Sequence, residues 1–430
     1  MNVRVADWLR PTRVGLVVAL MALALLYVPG WVLRLHGPAV PDPPLFPAKI
    51  ASYSWHTGRL ANGDLEAASL LYQNGVGVEF GDSPMAVLLG ADGSSYRRFA
   101  QAEARSIPED QGDPAASVLS PDGTFVVIGS SGATGDIEVV TLRDGHRRTL
   151  SVGAGRTALP SAIGADSKTV LLAVSDAAVD KYAVGQDLGL ASIDLTTGRV
   201  RDYPGIRDIH GVALSPDGKR IAVASSDNLE VIDATTGKRL TQIPVEIKRD
   251  PRCDRDYEEA EAAEEDEDTS ADDDDSYTCP ELSLDGDAWS PDGRQIAATL
   301  ETMVVVADLS GAEPSLRRVP LTAPDYWAAV IGWRDDSTVL VYAPTDGDEN
   351  RSELLWVDLT TGVAQTFATY RPNFTGAAMV SVDAARNLIP PWQVESRPID
   401  RGPLPLWAGL LAMLVAAVIR HWVPSARAKA

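Results

Sequence analysis

Two short motifs recur along the chain, and they limit the fold more than any other feature of the sequence. The first reads Ser-Pro-Asp-Gly after Leu or Trp, at 119–123, 214–218 and 289–293, with weaker copies at 163–167 and 333–337. The second reads Thr-Thr-Gly after an apolar run and an Asp, in the segments that start at Ser192, Val231 and Trp356, with a shorter relative from Val306. Pro, Asp and Gly between β-branched apolar runs are typical of turns between strands.

The spacing of the first motif predicts a repeated four-stranded unit. Successive copies are 44, 51, 75 and 44 residues apart, and the longest step contains a strongly acidic stretch. Each unit then has strands A to D, with the first motif joining A to B and the second joining C to D. Four-stranded units at this period are typical of the blades of a β-propeller, so the sequence predicts an all-β propeller.

The number of blades depends on how the two ends of the repeat region are interpreted. Leu71–Gly75 and Val380–Ala384 resemble degenerate A–B turns, which gives seven blades, with six as the alternative. Tyr53–Leu60 resembles the C–D motif. We therefore expect the N-terminal part to supply strands C and D to a blade whose strands A and B come from the C-terminal part, which leaves no free sheet edge. Both linkers would then leave on the side of the B–C loops.

The repeats resemble those of the TolB-like and WD-repeat propeller families. The similarity is greatest in LSPDGKRIAVAS at 214–225 and WSPDGRQIAAT at 289–299, and it covers roughly residues 49–394. The Trp-Asp dipeptide of true WD repeats is absent, and Gly-His occurs only at 145–146, so it does not recur with the repeat. The resemblance implies the fold but not the function, because propellers have many functions.

Both ends of the chain are apolar enough to suggest membrane attachment. Val14–Leu33 contains no charged residue, and Leu404–Ile419 is a shorter run that extends through Trp422. Arg and Lys before the first run and after the second place both termini in the cytoplasm and the propeller outside. A cleaved signal peptide is the alternative for the first run, and a buried core helix for the second. The predicted division is tail 1–13, span 14–33, Pro-rich linker 34–48, propeller 49–394 with an acidic insert 250–281, linker 395–403, span 404–422 and tail 423–430.

The net charge of −22 is concentrated in one place. Residues 254–278 hold fourteen Asp and Glu against one Arg, and Cys253 and Cys279 bracket them. Two cysteines that close one loop predict a disulfide in an oxidising compartment. The acidic insert has three interpretations: a Ca²⁺ site, a docking site for a basic partner, or a solvated disordered loop, which its irregular spacing favours. The absence of a basic patch argues against nucleic-acid binding.

Motifs for catalysis are lacking in the sequence. There is no His-Glu-x-x-His, Gly-x-Ser-x-Gly or P-loop, and His210 is interpreted as a structural imidazole. Asp346, Asp348 and Asn350 have the spacing that opens a calcium loop, but the Gly and Glu that should follow are missing. The sequence predicts no cofactor other than Ca²⁺, for which these three residues and the acidic insert are the weak candidates. We therefore expect a non-enzymatic binding or scaffold module of the cell envelope, whose partner is a protein, peptide or glycan. The alternative is a propeller hydrolase or lyase that uses a cation held by carboxylates at the central channel.

Overall fold

The architecture is taken from a computed structural model of the chain. The structure describes residues 40–52, 57–60, 65–77, 84–179, 188–225, 227–247, 281–321, 328–345, 351–372 and 379–390. No helix within these segments is long and apolar enough to cross a membrane. The predicted spans 14–33 and 404–422 lie outside the described residues.

Within the described segments the secondary structure is almost entirely β. The first strands are β1 (Lys49–Ala51), β2 (Ala68–Asn74), β3 (Met85–Gly90), β4 (Tyr96–Arg98), β5 (Ser117–Leu119), β6 (Phe125–Ile128), β7 (Asp136–Thr141), β8 (Arg147–Ser151), β9 (Thr157–Ile163), β10 (Thr169–Ser175), β11 (Gly189–Asp194) and β12 (Val200–Tyr203). The others are β13 (Gly211–Leu214), β14 (Arg220–Ala224), β15 (Asn228–Asp233), β16 (Arg239–Pro244), β17 (Leu282–Ser283), β18 (Gln295–Leu300), β19 (Met303–Asp308), β20 (Ser315–Pro320), β21 (Ala329–Asp335), β22 (Thr338–Thr345), β23 (Arg351–Asp358), β24 (Ala364–Arg371) and β25 (Met379–Ala384). Helix α1 (Ala100–Glu103) and two 3₁₀ turns (Pro108–Asp110 and Arg386–Leu388) complete the elements.

These strands form six sheets, each of which is one blade. Blade 1 has the order β25-β2-β3-β4, blades 2 to 5 are β5–β8, β9–β12, β13–β16 and β17–β20, and blade 6 is β21–β24. The first strands of neighbouring blades contact one another, as β9 does with β5 and β13, so strand A of each blade is innermost. Apolar side chains from adjacent blades form the core between them, as in the cluster that joins blades 2 and 3.

The prediction of seven blades is wrong, and the alternative of six is what the structure shows. The two segments interpreted as A–B turns of separate blades are strands β2 and β25, which pair with each other in blade 1. Leu71 lies opposite Asp383, and Gln73 lies opposite Val380. Apolar runs without Pro or an internal Gly extend more readily than they turn, which explains the misassignment. The C-terminal part of the chain thus supplies one strand to the closing blade, and the N-terminal part supplies three.

The N-terminal segment also runs along the outside of the junction between blades 6 and 1. Strand β1 pairs in parallel with β24, the outer strand of blade 6. Arg59 then makes a single parallel bridge to Arg98 of β4. The segment predicted to form a C–D hairpin, 53–60, is therefore not a pair of blade strands where it is described, and residues 53–56 lie outside the described part.

The described segment leaves the ring at both ends on the side of the A–B and C–D turns. Near its start, the backbone N–H of Leu45 donates to the carbonyl of Ala91, which follows β3 in the C–D turn of blade 1. Near its end, the N–H of Asn387 donates to the carbonyl of Pro121, in the A–B turn of blade 2. The expectation that both linkers leave on the B–C side is wrong. It assumed that two strands of the closing blade come from each end of the repeat region. In the structure, the chain enters this blade at strand B and leaves it after strand A, and both of these points lie on the side of the A–B turns.

The A–B turns have one repeated geometry that explains the Ser-Pro-Asp-Gly motif. In blade 4, the Ser215 hydroxyl donates to Asp217 at 2.7 Å and accepts the N–H of Arg220 at 2.9 Å. Gly218 has φ +69°, a conformation that favours glycine. The Ser side chain is fully buried, so it replaces the water that would otherwise bind these backbone groups.

The C–D turns also share one geometry. The carboxylate of Asp233 accepts two backbone N–H groups, from Thr235 at 3.0 Å and Thr236 at 2.7 Å, and the Thr236 hydroxyl at 2.8 Å. Gly237 follows with φ +71°. Asp194 and Asp358 make the same contacts in blades 3 and 6. Both turn families lie on one face, which we call the turn face, and the B–C and D–A connections lie on the opposite loop face.

Candidate functional site

The innermost strands surround a central channel whose mouth on the turn face is lined by acidic groups. Asp285 and Asp287 follow β17, directly before the A–B turn of blade 5, and Asp383 lies near the end of β25. Arg386 belongs to the 3₁₀ turn after β25. These four residues, which come from blade 5 and from the segment that closes blade 1, form the channel cluster.

The members of the channel cluster are held by specific contacts. The Arg386 guanidinium forms an ion pair with Asp287, and their side chains are 19% and 13% exposed. The carboxylate of Asp383 accepts the backbone N–H of Leu119 at 2.5 Å. Oδ2 of Asp285 is buried and has no hydrogen-bond partner within the described segments. A cavity of about 10 Å³ lies between Asp287, Asp383 and the neighbouring strands, room for about one water molecule.

Burial makes these carboxyl groups hard to ionise. It raises the pKa of Asp285 to about 7, and the neighbouring Asp287 adds to the effect. Burial raises the pKa of Asp287 to about 6, although Arg386 acts in the opposite direction. Burial also raises the pKa of Asp383 to about 7, although the Leu119 N–H favours its ionised form. The channel cluster therefore gains and loses protons near neutral pH, which ordinary surface carboxylates do not.

The channel cluster meets one requirement of the cation-dependent alternative, because carboxylates converge at one end of the channel. Among the described residues, however, no three His, Cys, Asp or Glu side chains are arranged to hold a metal ion. The contacts of Arg386 with Asp287 and of Asp383 with Leu119 connect blade 5, strand β25 and blade 2.

His210 lies outside the channel cluster, near the loop face. Its Nδ1 lies 3.1 Å from Glu281, and its Nε2 lies 3.1 Å from Asp208. The hydrogen bond with Glu281 is the main cause that raises the pKa of His210. The imidazole therefore connects the D–A connection before blade 4 to the residue that precedes β17, which agrees with a structural role.

The other sites predicted from sequence cannot be placed. Asp346, Asp348 and Asn350, the weak Ca²⁺ candidates, lie outside the described residues, as do Cys253, Cys279 and almost all of the acidic insert. The disulfide and the cation site remain predictions.

Sequence reasoning missed the channel cluster, although a signal exists. Asp285-Gly286-Asp287 stands only two residues before Trp289 of the motif in blade 5. Acidic side chains at the end of strand A point to the channel, because strand A is innermost. Asp383 was missed because its strand was interpreted as a turn, which removed it from the channel.

Comparisons with known proteins give similarity only at the level of structure. No protein-family model matches the chain. No curated protein matches it either.

Several solved structures are similar in fold. TolB from Acinetobacter baumannii is 14% identical, with a TM-score of 0.46 over 75% of this chain and 67% of its own. Hydrazine synthase from Kuenenia stuttgartiensis is 17% identical, with a TM-score of 0.39 over 72% and 80%. A TolB structure from Agrobacterium tumefaciens is 14% identical, with a TM-score of 0.40 over 74% and 99%. The resemblance to TolB-like propellers is thus seen among solved structures, while the assignment of six blades rests on the strand order of the chain itself.

Proposed function

We infer that this chain is a protein-binding scaffold module of the cell envelope, with the propeller outside the cytoplasm and its apolar ends, 14–33 and 404–422, attached to the membrane. The observation that supports this arrangement most is the closure of the ring. Both ends of the described chain leave on the turn face. Attachment through the ends therefore directs the loop face away from the membrane, where a soluble partner has access.

The loop face is suited to recognition because its connections vary in length far more than the turns on the opposite face. The B–C connection of blade 3 runs from 176 to 188, and the D–A connection from blade 4 to blade 5 runs from 245 to 281. By contrast, the A–B turns are short, and those of blades 2, 4 and 5 share one Ser-to-Asp hydrogen bond. Long connections on a rigid scaffold are where binding residues concentrate in proteins.

The orientation can be tested with a fluorophore on each face. Ala177, in the B–C connection of blade 3, and Thr235, in the C–D turn of blade 4, are both exposed. Each is replaced by Cys and labelled in a chain that lacks Cys253 and Cys279. After reconstitution into vesicles with nitroxide headgroup lipids, we expect stronger quenching at position 235 than at 177. Equal or reversed quenching contradicts the arrangement.

The location and the binding role need separate experiments. On intact cells, a membrane-impermeant maleimide should label the Ala177→Cys chain, and labelling only after lysis contradicts the extracytoplasmic location. A photo-crosslinking residue at position 177 should capture a partner that the same residue at position 235 does not. Capture from position 235 alone contradicts the role of the loop face.

A further inference from the structure

A pocket of about 360 Å³ lies between blades 2 and 3 on the turn face. It is separate from the channel cluster and from the loop face. Blade 2 contributes five side chains to its wall: Phe125, Val139, Thr141, His146 and Arg148.

The strand register explains why these side chains share one face of blade 2. Phe125 of β6 lies opposite Thr141 of β7, and Val139 of β7 lies opposite Arg148 of β8. Thr141 and Val139 are two residues apart on one strand, so they point to the same side of the sheet. That side is the one that packs on blade 3, because Val139 belongs to the core between the two blades.

Blade 3 closes the pocket from the other side with Ser167 of its A–B turn and with Leu195 and Thr196 of its C–D turn. Leu195 is 5% exposed and Val139 is 7% exposed, so they form an apolar floor. Phe125 is partly exposed above that floor. Hydroxyl groups and the basic side chains surround the opening.

Blades 4 and 5 bridge the equivalent space with a polar side chain, and blade 2 does not. The position of Phe125, the second residue after the Gly of the A–B turn, is Arg220 in blade 4 and Gln295 in blade 5. Arg220 donates to the carbonyl of Gly293 at 2.6 Å, and Gln295 donates to the carbonyl of Asp336 at 3.3 Å. Each side chain thus bridges to the A–B turn of the next blade. Phe125 has no polar atom with which to do so.

Blade 2 also lacks the acid that begins the C–D turns of blades 3 to 6. Thr141 stands where blades 3, 4, 5 and 6 have an Asp, namely Asp194, Asp233, Asp308 and Asp358. No carboxylate is among the side chains that line the pocket. Because blade 2 has Thr at this position, the pocket wall beside Arg148 has no negative charge there.

The two adjacent arginines of β8 differ in their partners. Arg147 points to the other side of blade 2, where it forms an ion pair with Glu138 at 3.4 Å. Arg148 lines the pocket and has no ion pair within the part of the chain that the structure describes. A guanidinium beside an apolar floor and hydroxyl groups is suited to bind an anionic group carried by an apolar body.

We propose that this pocket binds a small organic anion, a carboxylate or sulfonate on an aromatic or branched apolar body. The apolar body packs on Phe125, Val139 and Leu195, and the anionic group pairs with Arg148. The site does not depend on the function proposed for the loop face.

The test uses the full chain and 2-naphthalenesulfonate as the probe, followed by saturation-transfer NMR and calorimetric titration. A probe of this size should bind with a Kd of about 0.1–1 mM. The neutral 2-naphthol, which has the same ring system, should bind at least tenfold more weakly.

Three variants separate the pocket from general charge and from folding. Arg148→Gln should weaken binding of the sulfonate at least tenfold, while the matched control Arg147→Gln on the same strand should change it less than twofold. Thr141→Asp should also weaken binding at least tenfold, and it should fold normally because four other blades have Asp at this position. Unfolding midpoints of all three variants verify that the protein is folded.

Four results would overturn the proposal. The first is no saturable binding to the wild-type chain at about 5 mM probe, at least about five times the expected Kd. The second is equal affinity for 2-naphthol. The third is binding to Arg148→Gln or Thr141→Asp within twofold of wild type, and the fourth is equal weakening by Arg147→Gln and Arg148→Gln.

Discussion

The backbone N–H of Leu119 donates a hydrogen bond of 2.5 Å to the carboxylate of Asp383, although 264 residues separate them in the chain. Leu119 ends strand A of blade 2, and Asp383 lies on the strand that closes blade 1. The last strand is therefore fixed not only by pairing with β2 but also by a contact with the following blade. The ion pair between Arg386 and Asp287 extends the same connection to blade 5.

The channel cluster should make the protein less stable as the pH rises. Burial raises the pKa of Asp285 from 3.8 to about 7, so the unfolded chain loses this proton at lower pH than the folded chain. The folded state is then disfavoured increasingly between about pH 4 and pH 7. Asp285→Asn should raise the free energy of unfolding at pH 8 by about 1–3 kcal/mol and leave it nearly unchanged at pH 4.

Urea unfolding at pH 4, 6 and 8 measures this difference. Asp176→Asn is the matched control, because that side chain is 97% exposed. An Asp285→Asn protein that is less stable than wild type at pH 8 would mean that the charged carboxylate stabilises the fold.

The C–D turns should have the opposite pH dependence. The backbone N–H and hydroxyl of Thr236 are the main causes that lower the pKa of Asp233 below 3.8. This stabilising contribution is present above the unfolded pKa and is lost as the pH falls through the folded pKa. Asp233→Asn should therefore lower the Tm at pH 7, and the difference from wild type should shrink below about pH 4. Scanning calorimetry at pH 3 and pH 7 measures the Tm difference between Asp233→Asn and wild type. A Tm difference that is the same at both pH values contradicts this prediction.

The A–B turn should depend on both its Ser and its Gly. Ser215→Ala removes the fully buried hydroxyl that accepts the N–H of Arg220 and should cost about 1–3 kcal/mol. Gly218→Ala has open space for the added carbon, so its cost should come from the positive φ alone, about 1–2 kcal/mol. The exposed Ser315→Ala is the control. Denaturant unfolding measures the loss of stability in each variant. A loss for Ser215→Ala no larger than that for Ser315→Ala would show that the Ser215 side chain does not stabilise the turn.

The outer N-terminal strand should depend on one aromatic anchor. Phe46 is fully buried, and its ring centroid lies 5.0 Å from that of Phe367 on blade 6. Phe46→Ala should destabilise this region by about 3–5 kcal/mol. Because the N–H of Thr369 donates to the carbonyl of Ala48, its hydrogen exchange should accelerate, while the amides of β20 remain protected. Leu316→Ala, at a side chain that is 36% exposed, serves as the control. Unchanged exchange at Thr369 would show that the strand is held without Phe46.

The turns within the repeat region could be predicted from the sequence because each motif forms its own turn. Ser215, Asp217 and Gly218 form their hydrogen bonds within six residues, and Asp233 forms its own within three. Such local geometry does not depend on the neighbouring blade. The same reasoning failed at Leu71–Gly75 and Val380–Ala384, because a strand without a motif is recognised only by its partner, and here the two segments are partners of each other.

The chain by itself determined the four-stranded unit, both turn types and the membership in the propeller class, since these follow from contacts close in sequence. Only the tertiary structure decided the number of blades, the one-plus-three closure, the face from which the ends leave, and the meeting of Asp285, Asp287 and Asp383. These depend on pairing between segments some three hundred residues apart, where many alternative registers satisfy the same apolar pattern. The packing of whole blades around the channel selects among them, because β25 pairs with β2 and also contacts the innermost strands β21 and β5 of the neighbouring blades.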